Sequence, residues 1–268
     1  MEPEGDFGPP DPAAVQQVRQ LVERSSSVVV LTGAGISTDS GIPDFRGPNG
    51  LWTKDPEAEK LATIDVYLSS PDTRRRAWRR RIETGVLDRE PNAGHRALVE
   101  LERRGQLDLL ITQNIDGLHR AAGTHPSRLA EVHGNVREVH CVACGARGPI
   151  EPVIERVECG EEDPPCEACG GILKPTVVFF GESLPEDDLE RAFGAAERCD
   201  LFIAVGTTLG VYPIAETAVV ALNNGAGLVI INGDPTPYDR RADVVVCASI
   251  SETLSGIAQL PPAGVQNT

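Results

Sequence analysis

Four cysteines fall in two matched pairs, Cys141-x-x-Cys144 and Cys166-x-x-Cys169, with 21 residues between the pairs. This is one residue beyond the usual zinc-ribbon interval. Four thiolates close a tetrahedron around Zn²⁺ and leave no position for water, so the expected ion is structural. A glycine follows each pair, Gly145 and Gly170, and predicts two similar turns that point the thiolates inward. Unligated thiols are the alternative. Cys159 has no partner at the same spacing and reads as a bystander.

A second set of reactive groups lies in "TQNIDGLH" (112–119) and "EVHGN" (131–135). Gln113, Asn114 and Asp116 carry groups that hydrogen-bond an amide or a ribose. His133, between Val132 and Gly134, suits a general base, with a purely structural role open for it and for His119. The third motif is "GAGIST" (33–38), which fits G-x-G-x-x but has Thr38 where the dinucleotide fingerprint takes Gly or Ala. Such a loop brings backbone N–H groups to a pyrophosphate with a helix N-terminus behind it, or is simply a tight turn. It has no Lys for a γ-phosphate and runs on into "PDFRG" (43–47).

These motifs need elements to carry them. "SVVVLTG", "LDLLITQN" (107–114), "CDLFIAVGTT", "GLVIINGD" and "ADVVVCA" are apolar runs rich in β-branched residues that end in small or polar residues. They predict buried strands. Helical patterns occupy "AAVQQVRQLVERS", residues 92–105, and roughly 186–198 and 212–224. Buried strands alternating with helices predict a doubly wound parallel sheet, whose ligands bind beyond the carboxyl ends of the strands. Gly33–Ser37, Gln113–Asn114, Gly206–Thr208 and Asn232–Asp234 would then share one edge. Two stretches interrupt the alternation: residues 46–91, with the Arg-rich "TRRRAWRRRIE", and residues 136–176, with the cysteine pairs.

The chain has 268 residues and a formal net charge of −15. That balance opposes nucleic-acid binding and favours cationic partners such as lysine-rich segments, or is a solvated acidic surface. "MEPEGDFGPPDPAA" lacks the positive start and apolar centre of a secretory signal, and no later stretch is long enough to span a bilayer. With seven cysteines, an odd number, the expectation is a cytosolic protein with metal-bound or free thiols and a frayed first dozen residues.

"GAGISTDSGIPDFRG", "TQNIDGLH", "VHGN", the paired C-x-x-C and "KPTVVFFGE" occur in this order. In that series, over roughly residues 15–250, the chain resembles the sirtuins, NAD-dependent protein lysine deacylases. The resemblance implies an α/β fold: a Rossmann-type large domain (15–46, 92–135 and 177–250) and a small domain made of a helical insertion (47–91) and a zinc ribbon (136–176). Residues 1–14 and 260–268 would be flexible tails. It implies NAD contacts at Gly33, Ala34, Gly35, Ile36, Thr38, Asp44, Phe45, Arg46 and Trp52, and at Gln113, Asn114, Ile115 and Asp116. The adenosine side would use Gly206, Thr207, Thr208, Asn232, Gly233, Asp234 and Cys247. His133 would be the base, with Asn114 and Asp116 as further catalytic residues beside the nicotinamide pocket. Val178, Phe179, Phe180, Gly181 and Glu182 would hold the acyl-lysine peptide as an added strand. On pattern alone "VVFF" is a buried strand.

Implied cofactors are NAD and one structural Zn²⁺; implied partners are acylated lysine-containing proteins, with no nucleic acid and no membrane. The implied reaction passes the lysine's acyl group to ADP-ribose and releases nicotinamide. Protein mono-ADP-ribosylation and a non-catalytic NAD sensor are the rival functions. Family members that remove acidic acyl groups carry Tyr-x-x-Arg in the helical insertion, matched here by Trp78 and Arg81. Six arginines (74–76 and 79–81) predict instead that this helix mostly faces solvent.

Overall fold

The computed structural model describes residues 7–43 and 61–260. A six-stranded parallel sheet is ordered β3-β2-β1-β7-β8-β9: β1 (Val28–Thr32), β2 (Leu107–Thr112), β3 (Leu129–Glu131), β7 (Leu201–Val205), β8 (Gly227–Ile231) and β9 (Val244–Val246). Chain direction across the sheet reverses between β1 and β7, and this switch point opens a crevice at the strands' carboxyl ends. β3 is an edge strand that the sequence pattern did not single out.

Every residue of β1 is buried, because helices cover both faces of the sheet. Side chains alternate across the strand. Val28 and Val30 pack with α1 (Pro12–Arg24), α4 (Ala93–Arg103) and α9 (Ile250–Ile257) through Val18, Val22, Leu98, Leu101, Leu254 and Ile257. Val29 and Leu31 meet α7 (Glu186–Arg198) and α8 (Glu216–Asn223), whose buried alanines at 192, 195, 196, 218 and 221 allow close approach. Truncating Leu31 to Ala would cost about 2–5 kcal/mol. Helix starts are set locally. Asp11 accepts the N–H of Ala13 at 3.0 Å, and Asn92 with His95 forms a capping box at α4.

The fraying expected over the first dozen residues does not extend to the described ones. From Phe7 onward the chain is held: Ser249 donates its N–H to the Gly8 carbonyl at 3.2 Å, and α1 begins at Pro12. α8 starts at Glu216, four residues later than its apolar pattern suggested.

A second, antiparallel sheet is ordered β5-β4-β6, from β4 (Glu138–Cys141), β5 (Arg147–Pro149) and β6 (Leu173–Pro175). Beside it lie α2 (Ile64–Ser69), α3 (Pro71–Glu83) and α6 (Glu151–Glu158), while the short α5 (Leu118–Ala122) packs on α4. α3 does not mostly face solvent. Its Arg74, Ala77 and Trp78 are buried, and Trp78 sits in one cluster with Val139, Cys141, Ile150, Val153, Cys166 and Leu173. Arg74 grips Asp163 with Nε at 3.0 and 2.9 Å from its two oxygens, and Arg79 reaches Glu162 at 2.9 Å. Charge patterning predicts a solvated helix here because it is blind to acidic partners far along the chain.

Candidate functional site

The glycine loop after β1 forms a 3-10 turn over Ala34–Ser40 instead of entering an α-helix directly. Its glycines serve backbone approach to the loop after β7. Gly33 donates to Val205 O at 2.9 Å and Gly35 to Gly206 O at 3.0 Å. A β-carbon on Gly33 would lie 2.6 Å from Gly206 O, and one on Gly35 2.7 Å from Gly206 Cα. Gly206 adopts φ +60°, and a β-carbon there would meet Ile36 N at 2.5 Å. Only residues without side chains let these two loops interlock.

The loop after β2 completes the edge. Gln113 donates Nε2 to Thr207 Oγ1 at 3.0 Å, tying β2's exit to β7's. Asn114 Nδ2 donates to Gly33 O (3.0 Å) and Ser37 Oγ (3.2 Å), and Ser37 Oγ donates to Asp116 Oδ2 at 2.8 Å. Asp116 Oδ1 accepts the N–H of Leu118 at 2.9 Å, and Arg137 Nε donates to the Asp116 carbonyl at 3.0 Å. Burial pushes the Asp116 carboxyl up, against the lowering effect of these donors. In these contacts Asn114 and Asp116 hold the Gly33–Ser37 loop. Beneath them Thr32 Oγ1 lies 2.9 Å from both Thr112 Oγ1 and His119 Nε2. His119 and His95 are buried with ring centroids 4.8 Å apart, and burial keeps both neutral, His95 at about 4. His119 is thus part of the support under the edge.

His133 is half-buried just past β3, with Nδ1 2.8 Å from Gln113 O. A carbonyl only accepts, so Nδ1 carries the proton and Nε2 is the basic nitrogen. His133's own carbonyl accepts the N–H of Val178 at 2.9 Å, which joins the candidate base to the candidate peptide segment.

That segment is not a buried strand of the sheet. Val178 and Phe179 belong to no strand, and Phe180 makes an isolated parallel bridge to Thr63, donating to Ala62 O at 2.8 Å and accepting from Ile64 N at 3.0 Å. Phe179 is buried edge-on to Tyr67 at 5.2 Å, Phe180 and Gly181 are exposed, and Val178 is half-buried. Glu182 does not reach outward: its Oε2 takes the Phe179 N–H at 2.7 Å and pairs with Lys174 Nζ at 2.8 Å. Lys174 is 1% exposed, donates to Val177 O at 2.6 Å, and lies 4.3 Å from the Phe179 ring centre. Burial pulls its pKa down against the pairing with Glu182. Sequence reading missed Lys174; a lone Lys inside the apolar run 172–180 was the available signal.

On the far side Asn232 accepts a place beside β9, its N–H bonding Val246 O at 3.1 Å and its Nδ2 bonding Asp234 O at 2.7 Å. Cys247 Sγ donates to Gly233 O at 3.2 Å. Thr207 is buried, whereas Thr208, Asp234 and Thr38 are exposed; Ala34 and Ile115 are half-buried and Ile36 buried. Leu209, also unforeseen, holds φ +53° while buried, its N–H on Thr207 Oγ1 at 3.3 Å. Asp44, Phe45, Arg46 and Trp52 lie outside the described residues. Among the rest, the glycine cradle and the polar exits of β1, β2, β7 and β8 form one lip at the switch point. Their donors and hydroxyls fit a dinucleotide laid along that lip.

The cysteine pairs converge. The four sulfurs all lie within 4.8 Å of one another, with Cys141–Cys169 at 3.5 Å and Cys144–Cys166 at 3.8 Å. Zn–S bonds of about 2.3 Å in a tetrahedron require sulfurs about 3.8 Å apart, so the donor set fits Zn²⁺. The turns match as expected: Gly145 donates to Cys141 O (2.9 Å) and Gly170 to Cys166 O (2.8 Å). Cys159 stands outside the cluster.

Residues 33–213 match the family described as "Sir2 family". A Streptomyces coelicolor protein named NAD-dependent protein deacetylase 2 is 51% identical over 230 residues, covering 86% of this chain and 95% of that protein. A structure of Sir2 with a p53 peptide and NAD⁺ is 37% identical with a TM-score of 0.80, over 91% of this chain and 97% of the other. Sir2 bound to an acetylated peptide aligns at 36% identity with a TM-score of 0.81 over the same shares.

Proposed function

Because the chain belongs to the Sir2 family, we propose that it is an NAD-dependent protein lysine deacetylase, with His133 as its general base. The observation that carries this reading is the meeting of His133, through Gln113 and Val178, with both the dinucleotide lip and the Val178–Phe180 segment. Bound NAD would supply a ribose carbon with nicotinamide as its leaving group, and a ribose hydroxyl to be deprotonated.

The residues of the chain do the rest. Gly33, Gly35 and Gly206 let the lip close tightly, and Asn114, Ser37 and Asp116 keep the loop Gly33–Ser37 in place. His133 takes a proton at Nε2 while Gln113 O holds its Nδ1–H, so the ring need not reorient. Val178–Gly181 would pair with the backbone of an acylated peptide, recognition that tolerates varied side chains. From the resemblance, Asp44 and Arg46 of "PDFRG" would serve the nicotinamide ribose and pyrophosphate, with Phe45 and Trp52 as further cofactor contacts. Zn²⁺ on Cys141, Cys144, Cys166 and Cys169 would be structural, with no open position for water. We take residues 61–91 and 136–176 as one small domain, supported by Trp78 packing in the ribbon's core.

Among the described residues no helix is long and apolar enough to cross a membrane. A cytosolic location is our reading of the acidic, cysteine-bearing chain. The test is to count nicotinamide released with and without an acetylated peptide. Release that depends on the peptide and matches free lysine produced supports deacetylation. Release coupled to labelled ADP-ribose on protein would favour transfer, and no release would leave an NAD sensor.

A further inference from the structure

The adenosine side of the proposed cleft contains a residue from outside the sheet. Gly233 follows Asn232 at the carboxyl end of β8, and its Cβ direction points into the ring of Phe7. A β-carbon on Gly233 would collide with Phe7 Cζ and lie 2.6 Å from Cε2 and 2.9 Å from Cε1. The ring tip therefore fills the volume that any side chain at 233 would take. Two neighbouring contacts fix the segment in this position. Ser249, at the start of α9, donates its N–H to Gly8 O at 3.2 Å, and Asp11 caps α1 through the Ala13 N–H at 3.0 Å. α1 is in turn bedded on α9 by Val15, whose Cγ1 lies where a β-carbon on Gly256 would be 2.8 Å away. Cys247, beyond β9, bonds the carbonyl of the same Gly233. Residues 7–11 thus cross the mouth of the β8 and β9 exits, pinned at both ends.

Phe7 still keeps 43% of its surface exposed, a large apolar ring held open at the edge where a parallel sheet binds its ligand. We infer that Phe7 is the outer wall of the adenosine end of the cofactor cleft, supplied by the segment preceding α1 because Gly233 has no side chain of its own. This rests on the NAD reading above. Stacking of an aromatic face on a purine strengthens binding about 5- to 150-fold per base. The inference gives the N-terminal segment a role in cofactor affinity and none in peptide recognition.

Calorimetric titration of the full chain with ADP-ribose tests it, with melting temperature as the check on folding. Phe7→Ala should raise the dissociation constant about tenfold and leave affinity for an acetylated peptide unchanged. Gly233→Ala should weaken ADP-ribose binding similarly by displacing the ring. In the Phe7→Ala background the same glycine change should cost much less, because the new methyl group then meets no ring. Equal affinity in Phe7→Ala and the unaltered chain would overturn the inference alone. Tighter binding by Phe7→Ala would also overturn it, since the ring would then be a plug. If the unaltered chain bound no ADP-ribose, the cofactor reading would fall, and this inference with it.

Discussion

Gly35 and Gly206 are locked backbone to backbone: the N–H of one donates to the carbonyl of the other at 3.0 Å, with no room for a methyl group on either. Gly206→Ala would impose a left-handed conformation on alanine at φ +60° and drive its β-carbon onto Ile36 N. The strain and the displaced loop should cost about 2 kcal/mol or more. We expect a melting temperature several degrees lower and a larger loss of ADP-ribose affinity than of acetyl-peptide affinity. An alanine variant with unchanged binding would mean that the two loops move independently.

His133→Ala should lower deacetylation by about 10²–10⁴-fold while ADP-ribose binding and melting temperature stay near those of the unaltered chain. His133 is half-buried just past β3 and outside the buried core clusters, so the core packing does not depend on its ring. Single-turnover rates would decide it. Near-normal turnover would remove His133 from the base's role.

Removing zinc with a chelator should unfold the small sheet and take activity with it. Cys141 and Cys166 share a core with Trp78, so the indole of α3 should be exposed in the same step. Metal content, circular dichroism and tryptophan emission should change together. Activity lost from a protein with its ribbon intact would point to a catalytic metal instead.

Acetyl-lysine peptides should turn over faster than succinyl-lysine peptides of the same sequence. Trp78 is fully buried against the ribbon and offers no hydroxyl to an acid. Arg81 lies 5.1 Å from the Trp78 ring centre with Nη1 on Ala77 O at 2.7 Å, and the charge of nearby Lys174 is met by Glu182. The measurement is kcat/KM for the matched pair at equal NAD. A succinyl preference of tenfold (about 1.4 kcal/mol) that disappears in Arg81→Met would overturn this expectation.

Acid should weaken the fold before most carboxylates titrate. His95 has its pKa lowered from 6.5 to about 4, first by burial and then by Arg96. Between these values the unfolded chain binds a proton that the folded chain does not, so stability is full above pH 6.5 and falls as pH drops towards 4. His119, lowered by burial, acts in the same sense, whereas Asp116, Glu131 and Asp188, raised by burial, act in the opposite one, so the measured slope is a net one. Urea unfolding at pH 7.5, 6 and 5 should show a decline, and His95→Gln should flatten it. An identical slope in the variant would assign the effect to other groups.

Local pattern determined a great deal of this protein. The strand exits at 33–37, 113–114, 206–208 and 232–234 were legible because each is an apolar run followed at once by its polar turn. The two cysteine knuckles were legible because ligand spacing is written within four residues. The tertiary structure decided what those groups touch. Asn114 and Asp116 look like free catalytic groups in sequence, yet fold onto Ser37 and Gly33, some eighty residues away. Trp78 and Arg74 sit in a charge run that reads as solvated until the ribbon and Asp163 close over them. Lys174 meets Glu182 and Phe7 meets Gly233 only once the chain is folded. Turns and metal knuckles are chosen by a few neighbouring residues. Burial and pairing are instead chosen by whichever distant surface arrives, and no short window of sequence contains both partners.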